Sequence, residues 1–124
     1  METDRKAIAR AMYDAYATRN RGAAEALIGP EFSFTSPLDN GLDRDAYFRI
    51  CWPGGTSIDS FEFVGLAEDG DRVWISYLAR PANGPAFRNT EILTIRGEQI
   101  AAVEVFFGWA VPHPVPAGEH RDPP

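Results

Sequence analysis

Cysteine is nearly absent: Cys51 stands alone, so no disulfide can form within the chain and a disulfide-stapled scaffold is excluded. Long apolar runs are missing too, and nothing approaches the ~20 residues with which a helix spans a bilayer. Basic residues are outnumbered 12 to 18 by acidic ones. They are scattered rather than clustered, which removes the electrostatic footprint of a nucleic-acid binder. The two histidines, His113 and His120, both lie near the C-terminal end, and no acid groups with them at metal-ligand spacing. No glycine-rich loop follows a strand, since "WPGGTS" precedes one, so neither a metal nor a cofactor is implied. The opening "METDRKAIARAMYDAY" mixes charges into its apolar residues where a signal segment would be uninterrupted, and with the lone thiol this predicts a cytoplasmic protein.

What is present is enough for one domain. A chain of 124 residues buries roughly two-thirds of its unfolded surface when it folds as a single unit. The spacing of Ala7, Ile8, Ala11, Met12, Ala15 and Tyr16 predicts a first helix, with Thr3 or Asp4 as its cap. Asn20 caps a short second helix, "RGAAEALI", which Gly29-Pro30 should stop. The strand "EFSFTS" follows, then turn chemistry in "PLDNG", then a third helix in "RDAYFRICW" capped by Asp43 and ended by Pro53. Beyond Gly54-Gly55 the period changes to two. Strands are predicted in "SIDSFEFVGLA", "RVWISYLAR", "AFRNTEILTI" and "IAAVEVFFGWAV", separated by the turns "EDGD", "PANGP" and "RGEQ". In the last strand Ala101, Val103, Val105, Phe107 and Trp109 fall on one face. Residues 1–110 form the expected domain, and 111–124, "VPHPVPAGEHRDPP", a proline-rich tail. No internal repeat is present.

The third of these late strands holds an anomaly. Counting by twos places Phe87, Asn89, Glu91, Leu93 and Ile95 on one face, and that face looks inward because its opposite ends in Thr94 and Arg96. Glu91 therefore points into the core. Pairing Ile95 with Ile100 across a four-residue loop would set Glu91 against Glu104, two like charges on one face. A three-residue loop, Gly97-Glu98-Gln99, pairs Arg96 with Ile100 and Glu91 with Val105, and is the preferred register.

Three helices followed by an antiparallel meander is an α+β order. The succession of helix, short helix, strand ending in Ser36-Pro37, third helix and four long strands, with the closing "RNTEILTIRGEQIAAVEVFFG", resembles the nuclear transport factor 2-like superfamily. Its members include ketosteroid isomerases and SnoaL-like polyketide cyclases. The resemblance covers residues 4 to 110 and implies a cystatin-like cone: three N-terminal helices packed in the concave face of a curved, mainly antiparallel sheet. It also implies a pocket at the open end and a homodimer through the outer sheet face, where Ile92 and Phe106 are expected to need cover. Laid on a ketosteroid isomerase, Glu91 falls at or beside the acid of the oxyanion hole, the tyrosine position falls near Met12, and the base falls at Ser36. Steroid isomerisation is therefore not the expected reaction. An epoxide-hydrolase set of Asp39, Arg88 and Glu91 would need Arg88 on the face that strand parity denies it.

The expected site is a mixed pocket. Glu91 and Asp39 are its catalytic candidates; Tyr13, Tyr16, Tyr47, Trp52, Tyr77, Asn89 and Phe107 are its ligand-binding candidates. Phe32, Phe34, Phe61 and Phe63 are the further walls. Simpler roles are open to several: Asp39 as a turn residue, Trp52 as core, Cys51 as a small buried apolar group, and Glu91 as part of a structural hydrogen-bond network. The implied partner is a small lipophilic molecule. An inward carboxyl has its ionisation pushed up by desolvation and suits proton transfer of the isomerase, cyclase or hydrolase kind; a noncatalytic lipophilic-ligand binder is the alternative.

Overall fold

The computed structural model describes residues 3–55 and 57–124; Met1 and Glu2 of the expected domain and Thr56 of "WPGGTS" lie outside them. Helix α1 (Arg5–Ala17) starts where the Asp4 carboxylate accepts the Ala7 amide at 3.1 Å, and α2 (Arg21–Leu27) where Asn20 accepts that of Ala23 at 3.0 Å. Strand β1 (Ile28–Ser36) follows without a break. It begins earlier than "EFSFTS", and Gly29-Pro30 lies inside it. Proline has no amide to give to a ladder, and the pairing is interrupted there, between Ile28 and Ser33. The segment read only as a turn makes a short edge strand, β2 (Asp39–Leu42), antiparallel to β1. Helix α3 (Arg44–Ile50) is capped by Asp43, and a four-residue turn of helix, α4 (Trp52–Gly55), makes four helices where three were expected.

Four long strands complete the chain: β3 (Ile58–Asp69), β4 (Arg72–Pro81), β5 (Ala86–Arg96) and β6 (Gln99–Val111). The sheet order is β2-β1-β6-β5-β4-β3, antiparallel except where β1 runs parallel to β6. The result is a curved, unclosed mixed sheet with the helices in its concave face, an α+β cone. Helix α1 packs across β3 and β4, and α3 across β1. Val73, Ile75, Leu93, Ile95 and Ile100 form the fully buried floor between the layers. On α1 the buried stripe is Ala9, Met12, Tyr13 and Ala15, so the apolar face is rotated from the expected one and Ala7 is exposed.

The β5–β6 hairpin corrects the loop while keeping the register. Ile95 pairs with Ile100 and Arg96 with Gln99 across Gly97-Glu98, yet Glu91 still faces Val105. A bulge reconciles the two: Ala101 has no partner, so the strand gains one residue between Ile100 and Ala102. A second shift follows. Phe87 pairs with Ala110 and Asn89 with Phe107, so Gly108 and Trp109 together oppose Arg88. The last strand therefore does not keep one face from Ala101 to Trp109. Two extra residues switch its sides at both ends, displacing Ala101 and Trp109; Phe107 keeps the inner side opposite Asn89, and both Phe107 and Trp109 are about half exposed.

The outer face is also corrected. Ile92 is only 6% exposed, because Trp74 and Glu104 flank it in the same row of the sheet. Phe106, at 52%, and Trp74, at 39%, are the exposed apolar groups there.

Candidate functional site

Between the helices and the inner face of the sheet lies a cavity of about 170 Å³. Helix α1 contributes Met12, Tyr13 and Tyr16, and α3 with its cap contributes Tyr47 and Cys51. The sheet contributes Phe34, Phe61, Tyr77, Phe87, Asn89, Glu91 and the aliphatic residues around them. Strand pairing explains the arrangement of the polar groups. Tyr77 lies opposite Asn89, and Ile75 opposite Glu91, so the phenol and the carboxyl are diagonal neighbours on one face.

Glu91 is the centre of this arrangement. The surface it retains belongs to the cavity lining, and the Tyr77 hydroxyl donates a short hydrogen bond to its Oε2. Asn89 Nδ2 donates to the same Tyr77 oxygen at 3.4 Å, while Asn89 Oδ1 accepts the Gly108 amide at 3.3 Å. Burial pushes the Glu91 carboxyl above its usual value of 4.5, and the Tyr77 and Tyr13 hydroxyls pull it partly back. The Tyr13 hydroxyl is close enough to influence Glu91, yet it is buried and completes no hydrogen bond of full geometry. Its ring is held by edge contacts to Phe61 at 5.2 Å and Phe63 at 5.4 Å. Burial likewise drives the phenols of Tyr13, Tyr16, Tyr47 and Tyr77 upward, so all four are neutral at physiological pH.

Further round the cavity, the hydroxyls of Tyr16 and Tyr47 are hydrogen-bonded to each other. Gly55 makes room for this pair, because a Cβ on it would overlap the Tyr16 ring. Cys51 is in the lining, with its thiol pushed up to about 11 by burial and then by the charge of Asp39. It is therefore a protonated thiol rather than a nucleophile.

Of the ligand-binding candidates, Tyr13, Tyr16, Tyr47, Tyr77 and Asn89 converge on the cavity with Glu91. Trp52 does not: it is core, with its ring 4.6 Å from that of Tyr16. Phe107 also stands outside, on a shallow shelf at the rim with Phe87, Arg88 and Trp109: it keeps the inner face opposite Asn89 but lies beyond Val105, where the cavity lining on β6 ends. Asp39 is outside the lining as well and accepts a hydrogen bond from Ser36 Oγ at 2.7 Å. Phe34 and Phe61 are walls; Phe32 packs under Tyr47 at 5.0 Å and Phe63 behind Tyr13. His113 packs against Trp109 and His120 pairs with Asp122 on the exposed tail, neither of them in the cavity. The sequence reading missed Cys51 and Gly55 as lining residues. Cys51 follows the end of α3 at Ile50 and Gly55 ends α4, so both lie in the short segment that returns toward α1.

Among the described residues no Lys, Arg or His lines the cavity, and no three His, Cys, Asp or Glu side chains gather to hold a metal ion. No helix among them is long and apolar enough to cross a membrane. Chemically the cavity is an apolar space with one carboxyl whose ionisation burial pushes up and a set of neutral phenol donors around it.

The linkage has a definite sign. Glu91 binds its proton more tightly folded than unfolded, so its contribution is most favourable below the usual 4.5 and falls as pH rises toward its folded value. Between those limits the wild type should lose up to ~1.4 kcal/mol of stability per pH unit relative to Glu91→Gln. Urea unfolding of both proteins from pH 4 to pH 9 measures this difference. Parallel curves would show that the carboxyl folds without a shifted ionisation.

The fold recurs among solved structures of low sequence identity. A nuclear transport factor 2-like protein of unknown function from Burkholderia xenovorans matches with a TM-score of 0.74 and 16% identity over 91% of this chain and 86% of its own. A candidate polyketide cyclase from Sinorhizobium meliloti gives 0.69 and 18% over 79% and 92%. A protein of ketosteroid isomerase-like fold from Catenulispora acidiphila, in complex with trimethylamine, gives 0.66 and 17% over 86% and 88%. At these identities the likeness shows the fold alone. Comparison with curated protein sequences returns no match. The model of the SnoaL-like domain, however, matches residues 9–103, three-quarters of the chain and nearly all of the cone, and the protein therefore belongs to the SnoaL-like family.

Proposed function

We propose that this protein binds a small, largely apolar molecule in the cavity and moves a proton through Glu91, as a cofactor-free enzyme of the isomerase, cyclase or hydrolase kind. One observation carries the reading: a buried carboxyl with raised ionisation faces an aromatic cavity that contains no cationic side chain. A neutral Glu91 and the unpartnered Tyr13 hydroxyl are two donors for an oxygen on which negative charge develops, the arrangement that ketosteroid isomerases make from an acid and a tyrosine. Tyr13 supplies the phenol one residue from the position laid at Met12. The base position is not restored, because Ser36 is bonded to Asp39 and both stand outside the lining. The chemistry thus rests on one carboxyl that acts as acid in one step and base in the next.

That missing second group favours one alternative, a noncatalytic binder that uses the same cavity. Trimethylamine in a fold neighbour supports occupancy of such cones by small organic molecules. The exposed Phe106 and Trp74 support a homodimer through the outer sheet face. A panel of apolar ketones, epoxides and polyketide-like aromatics, followed for both binding and conversion, tests the reading. Conversion of a bound compound supports the enzyme, binding without conversion supports the binder, and neither binding nor conversion across the panel removes both.

A further inference from the structure

Glu91 is a buried acid without a countercharge. Among the described residues the lining contains no Lys, Arg or His, so the cavity itself supplies no positive charge. The local hydrogen bonding nevertheless suits an anion. Tyr77 already donates to the carboxyl, and Tyr13, buried beside it, has a proton that no acceptor takes with full geometry. The bond from Tyr77 and the nearby Tyr13 hydroxyl favour the ionised form of the carboxyl, while desolvation opposes that form. A cation entering the cavity would tip this balance.

The walls select which cation. Tyr13, Tyr16, Tyr47, Tyr77, Phe61 and Phe87 surround the space, and aromatic faces attract a cation through their quadrupoles. A primary ammonium needs three hydrogen-bond acceptors when it leaves water, which this donor-rich lining does not provide. An alkylated ammonium is weakly hydrated and needs none. The cavity of about 170 Å³ also suits a compact group, at several times the ~30 Å³ that one water occupies in the liquid. We propose that the cavity is a receptor for a small alkylated ammonium ion, with Glu91 as its counter-ion and the tyrosine and phenylalanine rings as its cage. The inference rests on the reading that this cavity is the ligand site, and it names the ligand's charge class.

A protonic consequence makes it testable. The ionisable groups facing Glu91 are Tyr13 and Tyr16 from α1, Tyr47 and Cys51 from α3 and its cap, and Tyr77 from β4, and burial keeps all of them protonated. Only Glu91 can release a proton when a permanent cation binds. Choline and 3,3-dimethylbutan-1-ol differ in little but a nitrogen cation in place of a carbon. Titration calorimetry at several pH values from 4 to 8, each in two buffers of different ionisation enthalpy, should show proton release with choline wherever the free carboxyl still holds its proton, and none with the alcohol. Choline should bind about tenfold more tightly than the alcohol, and Glu91→Gln should erase that preference while the alcohol still binds. The proton count uses only the wild type, so it stands even if the variant folds poorly. Binding of the alcohol as tightly as choline, or choline binding without proton release, would overturn the inference and leave the cavity as a site for neutral ligands. Absence of binding by both would also overturn it, and the ketone and epoxide panel would then decide the wider reading separately.

Discussion

Glu91→Gln is expected to lower turnover by roughly 10²-fold or more on any substrate the cavity converts, with affinity for neutral ligands largely retained. Glutamine keeps the length, shape and one carbonyl acceptor for the Tyr77 hydroxyl, which donates to Glu91 Oε2 in the wild type. What it removes is the transferable proton. Since among the described residues Glu91 is the only carboxyl in the lining, and the phenols and the Cys51 thiol stay protonated, none of these neighbours can take over the transfer. A role in proton transfer therefore lowers kcat much more than it changes KM. If Glu91 only anchors a hydrogen-bond network with Tyr77 and Asn89, the same substitution keeps both binding and turnover and shifts stability by about 1–3 kcal/mol. Unchanged turnover in a folded Glu91→Gln protein would end the catalytic reading of this residue.

The inward direction of Glu91 could be read from sequence because the period of two runs unbroken along β5 from Asn89 to Ile95. A strand that keeps its alternation reports its own orientation. Strand β6 does not keep it. Ala101 and the Gly108-Trp109 pair each insert a residue without leaving a distinctive local signature, so the alternation that runs from Val103 through Phe107 does not extend to Ala101 or Trp109. Gly108 marks the second irregularity physically, since a Cβ there would collide with the Arg88 backbone, but a lone glycine in a strand can equally mark a tight bend with no added residue. The α+β order and the cone were visible because caps, turns and apolar alternation agree with one another. The convergence of Tyr13, Tyr16, Tyr47 and Tyr77 was visible only as a shared residue type. Which tyrosine meets Glu91 depends on the rotation of α1, and the buried stripe through Tyr13 is shifted from the one that spacing alone suggests. Trp52 and Asp39 were undecidable at that level, because a few residues of α4 and β2 determine whether each faces the cavity or turns away.

Phe106→Arg is expected to convert the proposed homodimer into a monomer at micromolar concentration, weakening association by roughly 10²-fold or more. Phe106 lies opposite Thr90 on the outer face, while Trp74 flanks Ile92 in the next row. Ile92 is covered within one chain, so the surface left for a second copy to bury is centred on Phe106 and Trp74. A two-fold interface contains each position twice, and one substitution removes two aromatic contacts and places two like charges against each other across the axis. Fully burying one such side chain contributes ~1.5–3 kcal/mol, and about half of that remains to be gained by a ring that is 52% exposed, so the two copies together account for ~1.5–3 kcal/mol, roughly 10- to 10²-fold, and the opposed charges supply the rest. The new guanidinium adds a desolvation cost on top. Sedimentation velocity of wild type and Phe106→Arg measures the effect, and circular dichroism checks that the variant folds. A wild type that sediments as a monomer, or a variant that remains dimeric, would rule out assembly through this face while leaving the cavity on the opposite side of the sheet unaffected.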